Sequence, residues 1–384
     1  MAEWVECTIG DLCNTISDTY KGKDEYVVLI NTSDVLEGKV MNHETVANKN
    51  LKGQFKKTFK KDDILYSEIR PANKRFAFVD FENTSNYIAS TKLMVLRHND
   101  TVLPEYLFAL LKSNCVIDEL QHLAETRSGT FPQITFSSEL ASMRVFLPDR
   151  ETQKRIVSVL SSIEKKIDNN LVINNNLEQQ AQSIYKQMFI DNASSDWTEG
   201  ILSDIADITM GQSPSSSSYN EDRNGIVFFQ GRAEFGFRFP TVRLYTTEPK
   251  RMACTNDTLM SVRAPVGDLN VAHTDCCIGR GLAAIHSKDN HQAFVLYTMF
   301  SLKKQLDIFN GEGTVFGSIN RISLNKMPLL IPSSEKLDEF EALVSPIDAA
   351  IRNNYDEICY LKQLRDSLLP KLMSGELDVS NIDF

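Results

Sequence analysis

Residues 149–189 (DRETQKRIVSVLSSIEKKIDNNLVINNNLEQQAQSIYKQMF) limit what this chain can fold into more than any other stretch. Apolar Ile156, Leu160, Ile163, Ile167, Leu171, Leu177, Ala181, Ile184 and Met188 follow one another in steps of three and four, with a single step of six. That spacing draws one stripe along a helix with no Gly or Pro inside it. At ~1.5 Å per residue the helix is roughly 60 Å long, too long to cover one small core, so its stripe needs a second helix. The second helix comes 184 residues later, at 333–373, where Phe340, Val344, Ile347, Ile351, Tyr355, Leu361, Leu368 and Leu372 take the matching positions and Ile358 replaces Asn174. Val145-Phe146-Leu147-Pro148 precedes the first helix and Leu329-Leu330-Ile331-Pro332 the second. Two unrelated amphipathic helices would share a period but not their flanks and register, so a duplicated unit is the better reading. Pro346 stands inside the second helix and predicts a bend near its start.

The duplication extends to the segments between the helices. Trp4-Val5-Glu6-Cys7-Thr8-Ile9-Gly10-Asp11-Leu12 is echoed by Trp197-Thr198-Glu199-Gly200-Ile201-Leu202-Ser203-Asp204-Ile205, which contain the two tryptophans of the protein. Asp63-Ile64-Leu65-Tyr66-Ser67-Glu68-Ile69-Arg70-Pro71 is echoed by Asp257-Thr258-Leu259-Met260-Ser261-Val262-Arg263-Ala264-Pro265, each a strand running into a turn. Gly129-Thr130-Phe131-Pro132-Gln133-Ile134 parallels Gly313-Thr314-Val315-Phe316-Gly317-Ser318-Ile319. The chain therefore reads as a globular segment at 1–148, a long helix at 149–192, a second globular segment at 193–332, and a long helix with its tail at 333–384. Short strands mixed with a few helices make each globular segment α+β.

Composition excludes several classes of function. An apolar content of 42% is enough for ordinary cores, and no run of about 18 apolar residues or secretory leader occurs, so a cytoplasmic chain is expected. The seven cysteines include no C-x-x-C spacing and the six histidines are scattered, which disfavours disulfides and a metal site. Of the net charge of −10, the C-terminal helix and tail carry −6, while the two globular segments carry −3 and −1. Overall acidity therefore does not exclude nucleic acid, because local patches decide phosphate binding.

Catalytic groups are not evident. No phosphate-binding G-x-x-x-x-G-K-[ST] occurs, Gly279-Arg280-Gly281 lacks a third glycine, and no Asn-Pro-Pro or Asp-Pro-Pro amino-methylation signature is present. Asp149 and Glu151 with Lys154 hint at a nuclease, but they lie in the first turn of the long helix, where acidic residues are ordinary caps. Basic residues do cluster: Lys49, Lys52, Lys56, Lys57, Lys60, Lys61, Arg70, Lys74 and Arg75 fall within 27 residues. Arg223, Arg232, Arg238, Arg243, Lys250 and Arg251 surround an aromatic run in the second segment. Such mixtures suit contact with phosphates and base edges, although solvated basic faces look the same in sequence.

Taken together, the tryptophan-led openings, the S-x-x-R-P turn at 67–71, the Gly129 to Ile134 motif and Leu369-Pro370-Lys371-Leu372-Met373-Ser374-Gly375-Glu376-Leu377 resemble the specificity subunit of type I restriction-modification systems. The resemblance covers essentially the whole chain. It implies two tandem target-recognition domains, separated by two long antiparallel helices that form a coiled coil with an internal pseudo-twofold repeat. It also implies a non-catalytic subunit that binds a bipartite double-stranded DNA target. The partners it implies are two modification (methyltransferase) subunits carrying S-adenosylmethionine and restriction (motor-nuclease) subunits, with no cofactor, metal or membrane for this chain.

Within that reading, DNA-contacting candidates are Ser67, Arg70, Lys74, Arg75, Lys92, Ser128, Thr130 and Gln133 in the first segment. In the second they are Arg232, Arg238, Ser261, Arg263, Arg280, Thr314, Ser318 and Asn320. Ser67, Ser261, Gly129 and Gly313 have a competing role as turn formers. The helix contacts are expected at Ile156, Leu160, Ile163, Ile167, Leu171, Leu177 and Ile184, facing Phe340, Val344, Ile347, Ile351, Leu361 and Leu368. A coiled-coil adaptor with protein-binding ends is the competing function.

Overall fold

A computed structural model describes residues 4–49, 53–126, 132–311 and 317–380. The chain divides into two compact units, one made of Met1–Asn169 with Glu357–Phe384 and the other of Asn170–Asp356. Each unit thus owns one globular segment, one half of the first long helix (Arg150–Lys186) and one half of the second (Ser334–Met373).

In the first unit, Trp4–Thr8 pairs antiparallel with Arg144–Pro148, so the segment closes on itself just before the long helix begins. An antiparallel sheet follows in the order Cys13–Ile16, Leu93–His98, Ile64–Ser67, Phe76–Phe78. A second sheet orders Thr45–Ala47, Tyr26–Ile30, Tyr87–Ser90, Phe55–Lys57, with Tyr26–Ile30 and Tyr87–Ser90 parallel. Strand Leu93–His98 is buried over its first four residues, which fits a run of Leu, Met, Val and Leu between two layers. One core joins Ile9, Tyr66, Phe76, Leu107 and Ile117 to Ile156 and Leu160 of the first helix and to Leu369 and Leu372 of the second.

The second unit repeats the plan. Thr198–Ile201 pairs with Pro328–Ile331, and a four-stranded sheet orders Ala206–Met210, Leu282–Ser287, Thr258–Ser261, Leu269–Val271. The other sheet again contains one parallel pair, Ile226–Phe229 with Cys276–Ile278. Its core joins Met260, Ile285, Phe294 and Tyr297 to Ala181 and Tyr185 of the first helix, to Phe189 in the π-helical turn Gln187–Asp191 that continues it, and to Phe340, Val344 and Ile351 of the second.

The two helices run in opposite directions within each unit. In the first, Lys166 pairs with Glu357 at 3.4 Å while Arg155 donates to the Val379 carbonyl. In the second, Asn174 meets Ile351 while Tyr185 meets Phe340. Ile156, Leu160, Ile167, Phe340, Val344 and Ile351 are buried, and Ile163, Leu177, Ile184, Ile347, Leu361 and Leu368 are half-buried. Leu171 departs from the expected stripe, being 41% exposed. From Ile167 the inward positions at helical spacing are Asn170 and Asn174, buried to 1% and 2%, and Leu171 lies about 100° round from the first of them.

The Asn174 amide donates to the Ile351 carbonyl (3.2 Å), and the Asn354 amide donates to the Asn174 side-chain oxygen (2.8 Å). A polar position inside an apolar seam fixes register at some cost in stability. Asn174→Ala leaves the Asn354 amide without this acceptor, and urea unfolding is expected to show a loss of about 1–3 kcal/mol.

Asp149 caps the first helix. Its carboxylate accepts from the Glu151 and Thr152 amides at 3.0 Å each, and those hydrogen bonds, the Thr152 amide first, hold it below the usual carboxylate range. A depressed carboxylate contributes stability above its unfolded pKa and loses it as pH falls through the folded value. Asp149→Ala is expected to cost about 1 kcal/mol at neutral pH, with the difference from the parent vanishing in acid melts. The second helix runs unbroken through Pro346, whose ring occupies an exposed position where the carbonyl it leaves unpaired can be hydrated.

Candidate nucleic-acid interface

The two sequence landmarks of each segment meet in space. In the first unit Ile69 bridges Gln133, the Arg70 amide donates to the Pro132 carbonyl (3.1 Å), and the Ile134 amide donates to the Glu68 carbonyl (2.9 Å). In the second, Arg263 bridges Ser318, the Ala264 amide donates to the Gly317 carbonyl (2.9 Å), and the Ile319 amide donates to the Val262 carbonyl (3.0 Å). One turn and one loop are thus stitched identically in both units, with different side chains on them.

In the first unit this seam gathers Arg70, Lys92 and Gln133. Arg70 is exposed and holds a left-handed backbone (φ 46°), as does Lys74 (φ 52°), on either side of the Pro71–Asn73 turn. Such conformations are costly for residues with a Cβ and concentrate at functional sites. The Glu68 amide donates to the Lys92 carbonyl, and the Lys92 ammonium lies 3.6 Å from the Glu68 carboxylate. Lys57, from the basic run, joins them: burial lowers its pKa, with Glu68 opposing the shift and Lys92 adding to it. Lys57 was visible only as one lysine among many in that run.

Lys74 and Arg75 point elsewhere. Lys74 lines a cavity of about 70 Å³ with Lys112 and Arg365, on the helix side of the unit, and Arg75 donates to the Ser33 carbonyl (3.0 Å).

In the second unit Arg263, Arg280 and Ser318 are exposed, and the Val262 amide donates to the Gly281 carbonyl, which brings the Gly279-Arg280-Gly281 turn against the seam. A Cβ at Gly279 would lie 2.7 Å from the Gln230 carbonyl oxygen, so the close approach of this turn to the chain before Arg232 requires glycine. Arg232 pairs with Asp268, which also takes Lys303 at 3.3 Å, at the edge of an open 620 Å³ depression that includes Asn270 and Phe300.

Several expected readers have other work. The Ser67 hydroxyl accepts from the Ile69 amide (3.1 Å), and the Ser261 hydroxyl donates to the Pro265 carbonyl (2.7 Å) and accepts from the Asp268 amide (2.9 Å); both serines are buried turn formers. The Asn320 side-chain oxygen accepts from the Ser323 amide (2.9 Å) and caps helix Arg321–Asn325. Arg238 is 4% exposed, with its guanidinium held by Glu178, Asp348 and Tyr297, and cannot reach a duplex. Ser128, Thr130 and Thr314 lie outside the described residues. Among the described residues no cluster of three or more His, Cys, Asp or Glu could hold a metal ion, and no helix is long and apolar enough to cross a membrane.

Residues 1–179 match the family model described as type I restriction modification DNA specificity domain. The chain is 30% identical to the type I restriction enzyme HindI specificity subunit of Haemophilus influenzae, over 98% of this chain and 100% of that one. The chain belongs to the type I restriction enzyme specificity subunits. It is also 30% identical to the putative type I restriction enzyme MjaX specificity subunit of Methanocaldococcus jannaschii, over 83% of this chain and 79% of that one. The crystal structure of a type I restriction-modification system S subunit from M. genitalium shares the fold, with a TM-score of 0.56 at 16% identity over 97% and 96% of the two chains. As a specificity subunit the chain is a non-catalytic DNA sequence-recognition component.

Proposed function

We propose that the specificity subunit reads a bipartite duplex target, one part through residues 1–148 and the other through 193–332, with the helices at 149–192 and 333–384 holding the two readers apart. The observation that carries this reading is the seam built twice: the same backbone bridges present Arg70, Lys92 and Gln133 in one unit and Arg263, Arg280 and Ser318 in the other. A frame repeated with different donors suits two different base sequences. Arg and Lys pair well with guanine and Gln with adenine, while the half-exposed Arg232 beside the second seam supplies phosphate contact. The helices carry two modification subunits, which bind S-adenosylmethionine and methylate adenine within the target. Restriction subunits join them to cut unmodified DNA.

Two measurements test the assignment on the assembled complex. Arg263→Ala is expected to weaken or relax the second part of the target by about 1–3 kcal/mol while leaving the first part unchanged. Loss of both parts together would contradict separate readers. The logarithm of the affinity for a nonspecific duplex should also fall linearly with the logarithm of salt concentration, and a salt-independent affinity would favour the adaptor reading.

A further inference from the structure

The repeat offset of 184 residues makes Glu164 on the first helix the equivalent of Asp348 on the second, and Asp168 the equivalent of Arg352. All four side chains hold the globular segment of their own unit. In the first unit Glu164 pairs with Lys112, whose ammonium stands 5.1 Å from the centre of the Phe108 ring, and Asp168 takes Lys39 at 2.6 Å. In the second, Asp348 takes Arg238 at 3.3 Å and accepts from the Tyr297 hydroxyl (2.7 Å), while Glu178 takes the other arm of Arg238 at 3.1 Å. Arg238 also stands over the Tyr297 and Phe300 rings, at 5.6 and 6.0 Å. One turn along, Arg352 donates to the His273 carbonyl (2.9 Å) and the Asn256 side chain (2.6 Å) and stacks on Phe239 at 5.1 Å.

The positions are shared while the chemistry differs. At the first rung the acid is kept, but its cation comes from the end of helix Pro104–Leu111 in one unit and from a loop in the other. At the second rung Asp168 and Arg352 carry opposite charges, and each meets a partner of suitable polarity. The repeat equivalent of Glu178 is Lys362, so the first unit offers one acid to a point-charge ammonium, and the second offers two to a forked guanidinium. Contacts that drift in chemistry but not in place act through where they hold.

Resting on the bipartite reading above, we propose that Lys112 and Arg238 are positioning residues that index each reader on the helices, and so set how strictly the complex measures the gap between the two parts of its target. The Arg238 side chain is 4% exposed and the Lys112 side chain 14%. They are clamped between the helix acid and an aromatic ring, geometry that resists sliding as well as separation.

The test uses the specificity subunit assembled with its modification subunits and a set of duplexes carrying both target parts at the native gap and at gaps one base pair shorter or longer. The parent should methylate one gap. Arg238→Met and Lys112→Met should lower methylation at the native gap by about tenfold and narrow its advantage over the neighbouring gaps, with the base preference of each part unchanged. Arg238→Lys should restore part of the advantage.

Should Arg238→Met melt at a lower temperature, Lys112→Met and Glu164→Gln, at a partly exposed pair, give the same readout without disturbing a buried charge. A parental complex with no bipartite target would overturn the functional reading itself. A bipartite parent whose gap ratios are unchanged in the Lys112 and Arg238 variants would overturn only the clamp.

Discussion

Lengthening both helices by four residues, after Asn174 in the first and before Asn354 in the second, is expected to lengthen the unread gap in the target by about two base pairs. These sites face each other, since the Asn354 amide donates to the Asn174 side chain at 2.8 Å, so the paired insertion keeps that pair together while it gives up the bond from Asn174 to the Ile351 carbonyl. Four residues add ~6 Å along a helix and overshoot one full turn by only ~40°, so the buried stripe stays nearly in phase. At ~3.4 Å per base pair, ~6 Å corresponds to about two pairs. The base sequence of each part should not change, because neither seam is touched. The readout is the methylated motif of the assembled complex.

Phe340→Ala is expected to destabilise the second unit by about 3–5 kcal/mol, the usual cost of emptying a well-packed aromatic site. The Phe340 ring is fully buried against Tyr185 (5.8 Å), Phe189 (5.1 Å) and Tyr297 (6.0 Å), so it joins both helices to the globular core of that unit. Trp197 packs on Phe189 in the same unit and Trp4 belongs to the other, so its fluorescence in a Trp4→Phe background reports the second unit separately. The transition reported by Trp197 should move to much lower denaturant. An unchanged midpoint would mean that the helices do not share the core of the unit.

The frame was legible because it is periodic and duplicated. Two stripes at helical spacing and three echoed motifs were enough to give α+β modules joined by long helices, and two of those motifs, the turn after Ser67 or Ser261 and the loop at Gln133 or Ser318, proved to bridge each other. What escaped the sequence depends on angles and partners that spacing does not record. A step of three from Ile167 selects Asn170 and a step of four selects Leu171, and hydrophobicity argued for the residue that in fact faces solvent. Arg238 looked like any arginine in an aromatic run. Only the fold shows that Glu178 and Asp348 reach it from two different helices. Ser67 and Ser261 carry the same hydroxyl whether they read a base or close a turn, and their backbone neighbours decide the matter.

Genome-wide mapping of methylated adenines in cells that co-express this chain with its modification subunit tests the central claim most directly. One motif in two parts separated by a gap of fixed length is the expected result, and exchanging residues 193–332 for those of another specificity subunit should replace only one part. A single continuous motif, or a gap that varies from site to site, would contradict it.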